Sequence, residues 1–381
     1  MSQRNILRAL DIALPYINST MTTPQLLQQL DRTYVRVQNR KLSYFAGCDY
    51  FRLASHPQIL KAIREGLAKY GLNVSASRLT TGNHELYELL EAHLADFFGA
   101  EAAVLAANGY MPNLIVAQAL AGQFSHALID ERAHGCLFDA AQLLDCPVLK
   151  FKHRDPNDLA RTLRRLGRIK PLLLTDGMFS HDGSVAPLKE YLAHLPERGL
   201  VLLDDAHGAG VLGGAGCGTP EYAAVPRDRI IQTITFSKAF GVYGGAALGS
   251  PELKRAIIEK SRIYVGNTPL PLPLAHAALK SLELVKKDRS LRKRLARNTS
   301  HVKAALRASG VQLGDFPGPI IPVVPKNDNP ASRLKRRLLA GGIHPPFIKY
   351  PGGPEGGYFR FVISSEHTQG QLDALLKALL A

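Results

Sequence analysis

Seven short apolar runs recur between Ala102 and Gly249: AAVLAAN, HALID, CPVLKF, PLLLTDG, GLVLLDD, IIQTITF and GGAALG. Longer amphipathic or polar stretches, such as NLIVAQALAGQ and DPNDLARTLRRLG, alternate with them. Runs that are apolar without a polar every-other residue suit strands covered on both faces, and the spacers suit crossover helices. The pattern predicts an α/β domain around a seven-stranded, mainly parallel sheet. After Pro273 the texture changes to helical segments (AHAALKSLELVKK, SLRKRLARNTSHVKAALRAS), short strand-like pieces (GPIIPVV, YFRFVIS) and a final helix, QGQLDALLKALLA. This predicts a helical or extended segment over 1–45, a large α/β domain over 46–273 and a smaller C-terminal α/β domain over 274–381.

Composition agrees with a soluble globular chain: 381 residues, 46% hydrophobic and 21% charged, enough for more than one core. No apolar run approaches the roughly 18 residues that cross a bilayer, and the N-terminus lacks the features of a secretory signal. The expected location is the cytoplasm, away from the membrane. Cys48, Cys136, Cys146 and Cys217 lie far apart without CxxC spacing, so free thiols are expected, with neither a disulfide framework nor a metal site. The formal net charge of +15 opens two readings, nucleic acid or an anionic partner such as an acidic carrier protein or coenzyme A. The basic clusters RTLRRLGRIK and RLKRRLLAGG suit solvated helix faces, and no zinc-finger or RNP motif accompanies them, which disfavours nucleic acid.

The candidate chemistry lies at strand ends. GLVLLDDAHGAGVLG ends a strand with Asp204, Asp205 and His207, and ITFSKAFGVYGG carries Lys238 just past the next strand. In an open parallel sheet, ligands bind beyond the carboxyl ends of the strands, so these groups are expected to share a crevice. Gly208, Gly210 and Gly213 spell GxGxxG, the dinucleotide fingerprint. Their context argues against it: no helix is expected to start in GGAGCGTP, and Asp228 precedes the next strand instead of following it. Lysine, aspartate and histidine together suit pyridoxal 5'-phosphate: an amine forms a Schiff base, and a carboxylate keeps the pyridine nitrogen protonated. Asn108-Gly109-Tyr110 opens the helical stretch Met111 to Leu120, where N–H groups suit a phosphate, and Thr235 adds a hydroxyl. Singly, each residue also suits a structural part: a solvated lysine, a turn-capping aspartate, a hydrogen-bonded histidine.

DDAHGAGVLG and TFSKAFGVYGG resemble the signatures of the α-oxoamine synthases, fold-type I pyridoxal phosphate enzymes. CDYFRLASHPQI is similar to the family's NDYLGLSHHPQI, and TDGMFSHDGSVAPL to its (T/D)(E/D)GxFSMDGDxAPL. ERAHGCLFDA stands at its DxxxHAS, and the resemblance runs from about Leu42 to the final helix. It implies that Lys238 carries the Schiff base and removes the substrate's α-proton, and that Asp204 pairs with the pyridine nitrogen. His207 and Ser180 would contact the ring hydroxyl, and His134 would stack on the ring. Thr235, with the turn at Gly109 and Tyr110, would hold the phosphate, and Thr268 would reach the phosphate of a neighbouring subunit in a homodimer with shared sites. Arg360 would bind the amino-acid carboxylate with its planar fork, an ordinary strand arginine being the alternative. His207 would also donate the proton to the developing oxyanion.

The implied reaction is decarboxylative condensation of an amino acid with an acyl thioester to an aminoketone. AHGAGVLG, TFSKAFG and SHPQI lean toward members that join L-alanine to a pimeloyl thioester, on coenzyme A or a carrier protein, in biotin synthesis. Glycine-using relatives share nearly all of these motifs, and an aminotransferase or aldolase on the same cofactor is the other reading. Three positions depart from the family: Cys48 replaces asparagine, NVSAS over 73–77 replaces GSGGS, and Asn108 replaces serine.

Overall fold

The computed structural model describes residues 25–325, 328–349 and 353–381, so residues 1–24 of the expected N-terminal segment lie outside the described residues. The chain enters through a small antiparallel meander, β1 (Gln28–Gln29), β2 (Tyr34–Val37) and β3 (Arg40–Ser43). The apolar pattern does not announce these strands, because each has at most four residues and only Val35, Val37 and Leu42 are turned inward.

The seven runs then form β4 (Ala102–Ala106), β5 (His126–Asp130), β6 (Val148–Phe151), β7 (Pro171–Asp176), β8 (Leu200–Asp204), β9 (Ile230–Thr235) and β10 (Gly245–Gly249). They make one sheet in the order β4-β10-β9-β8-β7-β5-β6. The pairs β5–β6, β5–β7, β7–β8 and β8–β9 are parallel, while β10 runs antiparallel to both β4 and β9. Every residue of β7 and β9 is buried, which is why these strands read as unbroken apolar runs. The reversal at β10 leaves β4, β9, β8, β7 and β5 with their carboxyl ends on one edge. Ala106, Thr235, Asp204, Asp176 and Asp130 end these strands.

The helices Pro57–Tyr70, Glu85–Phe98 and Leu272–Lys287 cover one face of the sheet through Ile59, Leu90, Leu94, Ala275, Leu282 and Val285. The C-terminal part holds an antiparallel sheet, β11 (Ile320–Val323), β12 (Phe347–Ile348) and β13 (Tyr358–Val362), in the order β11-β13-β12. Against it pack the helices Arg289–Ala308, Asp328–Ala340 and Gln369–Leu380, through Val302, Leu306, Leu334, Leu338, Leu372 and Leu375. The last helix starts from a capping box between Thr368 and Gln371. Among the described residues no helix is long and apolar enough to cross a membrane.

One local expectation fails. A one-turn helix, Thr219–Tyr222, does start inside GGAGCGTP, because Pro220 in its first turn is already set for helical φ and has no N–H to satisfy. The glycines before it serve packing. A Cβ on Gly208 would stand 2.1 Å from Asp205 Oδ1, and one on Gly213 (φ +85°) would stand 2.1 Å from Glu221 Oε2.

His367 ties the entry segment to the C-terminal sheet. Its ring stacks on Phe45 at 4.0 Å, Nδ1 accepts from the Ser364 N–H at 3.0 Å, and Nε2 donates to the Tyr44 carbonyl at 3.0 Å. Burial, helped by the Arg52 charge, pushes its pKa down to about 3. The unfolded chain takes up this proton below its ordinary value of about 6.5, so the stabilisation is complete above that pH and is lost as pH falls, by roughly 2 kcal/mol at pH 5. Denaturant unfolding at pH 7 and pH 5 should show His367→Gln losing about 2 kcal/mol less than the wild type on acidification. Equal losses would contradict this.

Candidate active site

A cavity of about 270 Å³ opens at the strand carboxyl ends, lined by Lys238, Asp204, His207, His134, Ser180, Thr235, Gly109 and Tyr110 among others. A larger groove of about 870 Å³ runs along helices Pro57–Tyr70 and Leu272–Lys287. That groove contains no strand-end residue, so the smaller cavity is where the chemistry converges.

Asp204 ends β8, buried to 5% exposure, and each of its oxygens is held. Oδ1 accepts from the Ala206 N–H at 3.0 Å, and Oδ2 accepts from Asn113 Nδ2 at 2.8 Å and from the Cys136 thiol at 3.1 Å. The amide of Asn113 has one orientation available, since its Oδ1 accepts from Thr233 Oγ1 at 2.7 Å. The Cys136 thiol keeps its proton, because burial and then the Asp204 charge push its pKa well up. Asp176, ending β7, is likewise pushed well above the carboxylate range by burial and by Asp204. Of the two, Asp204 is the one whose oxygens are held by side-chain donors, Asn113 and Cys136.

Asp205 points elsewhere. Its carboxylate accepts from the Thr219 N–H and hydroxyl at 2.8 and 2.6 Å and from Gln232 Nε2 at 2.6 Å. Burial raises its pKa to about 6 against these donors. It is a structural tie between the turn and β9.

His207 is buried beside Tyr50, whose hydroxyl lies 2.6 Å from Nδ1. Burial lowers the imidazole pKa well below its ordinary value, and the Lys238 and Arg360 charges add to this. Burial also raises the Tyr50 hydroxyl well above its own, so the tyrosine keeps its proton and is available to donate it to Nδ1. With the tyrosine as donor, the neutral ring carries its hydrogen on Nε2. His134 caps the helix Gly135–Gln142, its Nδ1 accepting from the Cys136 N–H at 3.3 Å, and burial lowers its pKa.

At the other end of the cavity, Gly109 lies against Thr235. A Cβ on that glycine would stand 2.4 Å from both Cβ and Oγ1 of Thr235, so only glycine lets this turn approach. Thr235 Oγ1 donates to the Gly244 carbonyl at 3.2 Å and accepts from the Ser237 N–H at 3.2 Å. One detail departs from the sequence reading: Asn108 Oδ1 already accepts the N–H groups of Tyr110 and Met111, at 2.9 and 3.2 Å. The Tyr110 N–H was among those expected to face an anion, and the Asn108 side chain takes it. The Tyr110 hydroxyl donates to the carboxylate of Asp139.

Two of the candidate residues stand apart from this wall. Arg360 on β13 reaches over from the C-terminal sheet, its Nη1 donating to the Ser180 carbonyl at 3.2 Å. Thr268 is exposed and borders a different cavity, with Arg78, Tyr87 and Tyr264.

The donor set fits pyridoxal 5'-phosphate. Asp204 offers an oriented carboxylate to a pyridinium N–H. The Ser180 hydroxyl, 4% exposed, has no hydrogen-bond partner among the described residues, an open valence beside the cavity. Gly109 lets its turn close onto Thr235 at the other end of the cavity, beside the Thr235 hydroxyl. Fold and site together define the class: a fold-type I transferase whose cofactor is pyridoxal phosphate.

The comparisons narrow this. Residues 48–379 match the family model for aminotransferase class I and II. An 8-amino-7-oxononanoate synthase of Thioalkalivibrio sulfidiphilus is 38% identical over 348 residues, covering 90% of this chain and 88% of that one. One of Ectopseudomonas mendocina is 36% identical over 361 residues, covering 93% and 92%. Among solved structures, a serine palmitoyltransferase from S. paucimobilis with bound pyridoxal phosphate superposes with a TM-score of 0.86 at 27% identity, covering 93% of this chain and 91% of that one. The 8-amino-7-oxononanoate synthase of Francisella tularensis gives 0.77 at 26% identity, covering 89% and 96%. The chain belongs to the aminotransferase class I and II family, in its α-oxoamine synthase branch.

Tyr50, Asn113, Cys136, Asp176 and Thr233 were not among the sequence candidates. Asn113 left a trace, as a polar residue in the first turns of the otherwise apolar MPNLIVAQA, and Tyr50 stood within the quoted segment CDYFRL.

Proposed function

We propose that this enzyme condenses L-alanine with a pimeloyl thioester to give 8-amino-7-oxononanoate, carbon dioxide and the free thiol. The observation that carries the proposal is the convergence of Lys238, Asp204 and His207 on one cavity in a chain 38% identical to a synthase of that name. When bound, pyridoxal phosphate supplies the electron sink that lets the amino acid's α-carbon act as a carbanion.

In this reading Asp204 holds the ring nitrogen protonated, while Ser180, His134, Thr235 and the Gly109-Tyr110 turn orient the ring and its phosphate. Arg360 receives the amino-acid carboxylate bidentately, and its tie to the Ser180 carbonyl sets it next to the site. The amine of Lys238 takes the α-proton at Nζ. The α-carbon then bonds to the thioester carbonyl, the C–S bond breaks and the thiol leaves with a proton. The carboxylate departs as carbon dioxide, and the α-carbon is reprotonated. His207, neutral with its hydrogen on Nε2, donates a hydrogen bond to the oxygen on which charge develops.

Thr268, exposed and outside its own chain's cavity, supports a homodimer in which it serves the partner's site. On this reading the enzyme works in the cytoplasm, with free thiols at all four cysteines.

Thiol release measured across L-alanine, glycine and L-serine with acyl thioesters of several lengths tests the assignment. Alanine with the pimeloyl thioester should give the highest kcat/KM, and thiol release only with another pair would overturn it. Formation of 2-oxo acid without thiol would make the protein an aminotransferase. Tyr50→Phe removes the donor to His207 Nδ1 and frees the ring to adopt the other tautomer. Turnover should fall about ten- to a hundredfold while the unfolding midpoint holds. The ¹⁵N shifts of His207 should leave the Nε2–H pattern, and an unchanged tautomer with an unchanged rate would refute this role.

A further inference from the structure

The site chemistry does not use the excess of positive charge, and part of it collects on one face. On the helix Asp328–Ala340, Ala331, Leu334 and Leu338 are buried in the C-terminal core. At about 100° per residue, Arg333, Lys335 and Arg336 then take up much of the remaining circumference, with Arg333 and Arg336 exposed. No aspartate or glutamate occurs from Asn329 to Lys349, a run of twenty-one residues that contains five arginines and lysines, Lys349 included.

Arg40, on the β2–β3 hairpin, extends the same face by donating from Nη2 to the Leu339 carbonyl at 2.6 Å. Exposed Lys349, just past β12, extends it on the other side. Among the described residues none of Arg40, Arg333, Lys335, Arg336 and Lys349 forms an ion pair. Lys41, Arg161 and Lys287 elsewhere on the surface each meet a carboxylate.

The face is coupled to the active site by short contacts. Lys335 Nζ stands 4.1 Å from the centre of the Phe347 ring, and Phe347 pairs with Phe359 across β12 and β13 with ring centres 5.0 Å apart. The next residue is Arg360, whose N–H donates to the Pro346 carbonyl at 3.0 Å and whose guanidinium donates to the Ser180 carbonyl. One strand pair therefore separates the basic face from Arg360, which reaches Ser180 at the cavity wall.

We propose that this face, the outer side of helix Asp328–Ala340 with Arg40 and Lys349 at its borders, docks an acidic acyl carrier protein that delivers the thioester to the cavity. The proposal rests on the acyltransferase reading above. Unpaired like charges crowded on one surface repel each other and attract a surface of opposite sign, steering its approach. Here they spread over a helix, a hairpin and a strand end, an array that suits the acidic surface of a folded protein better than the phosphates of one nucleotide.

Steady-state kinetics with pimeloyl-loaded carrier protein and with pimeloyl-coenzyme A, on the wild type, R333E/R336E and R333Q/R336Q, test it. The charge reversal should raise KM for the carrier-bound donor about tenfold or more, with a smaller rise in the neutral variant. KM for the coenzyme A donor, KM for alanine and kcat should stay within about twofold, and added salt should weaken only the carrier reaction of the wild type. An equal rise for both donors, or no rise for either, overturns the docking surface. A wild type that uses the coenzyme A thioester but not the carrier protein overturns it and leaves the acyltransferase reading intact. A wild type that releases thiol from neither donor refutes that reading itself.

Discussion

Lys238→Ala is expected to lose turnover by about 10⁴-fold or more while keeping its fold, because in the proposed reaction this residue is both the covalent anchor and the base that takes the α-proton. Lys238 sits half-buried at a cavity wall, follows β9 by three residues and forms no ion pair among the described residues. Truncating it therefore disturbs little of the core formed by Phe236, Ala239 and Phe240 around it. The wild-type protein mixed with pyridoxal phosphate should show the long-wavelength absorbance of a Schiff base, and the variant should show only that of the free aldehyde. Recovery of the wild-type spectrum and rate in the variant would assign the chemistry to another amine.

Asp204→Asn is expected to cut kcat by about 10²- to 10³-fold, with a weaker grip on the cofactor. The substitution keeps the volume and one carbonyl oxygen but removes the charge that, in the proposed function, holds the ring nitrogen protonated. It also gives the Asn113 amide and the Cys136 thiol, both donors, a partner that is itself half donor. The fold should survive, because two buried carboxylates stand near each other here and the change removes one of them. Burial and then the Asp204 charge raise the Asp176 pKa, and the change lifts the second of these. Rates and thermal unfolding measured on the same preparation separate the outcomes. Loss of rate with an unchanged or higher midpoint supports the electrostatic role, and unfolding in parallel with loss of rate contradicts it.

Most of the large sheet was legible in the chain because burial on both faces writes each strand as an unbroken apolar run. The antiparallel turn of β10 was not legible, since GAALG pairs equally well in either direction. The short strands β1, β2, β3 and β12 lack the length to show a period. In the site, Lys238, Asp204 and His207 stood out because the strand ends and glycines that place them are adjacent in sequence. The groups that orient them did not. Tyr50 meets His207 across 157 positions and Asn113 meets Asp204 across 91, contacts that only the sheet order creates. Asp205 looked equivalent to Asp204 in the sequence. Alternation along the strand end turns it away from the cavity, toward Thr219 and Gln232.

The central claim is that one amine, facing one oriented acid, holds the cofactor. Borohydride reduction of the protein loaded with pyridoxal phosphate, followed by proteolysis and mass spectrometry, reads this out directly. One pyridoxyl group per chain is expected, on the peptide containing Lys238. Label spread over surface lysines, or fixed on a different residue, would contradict it.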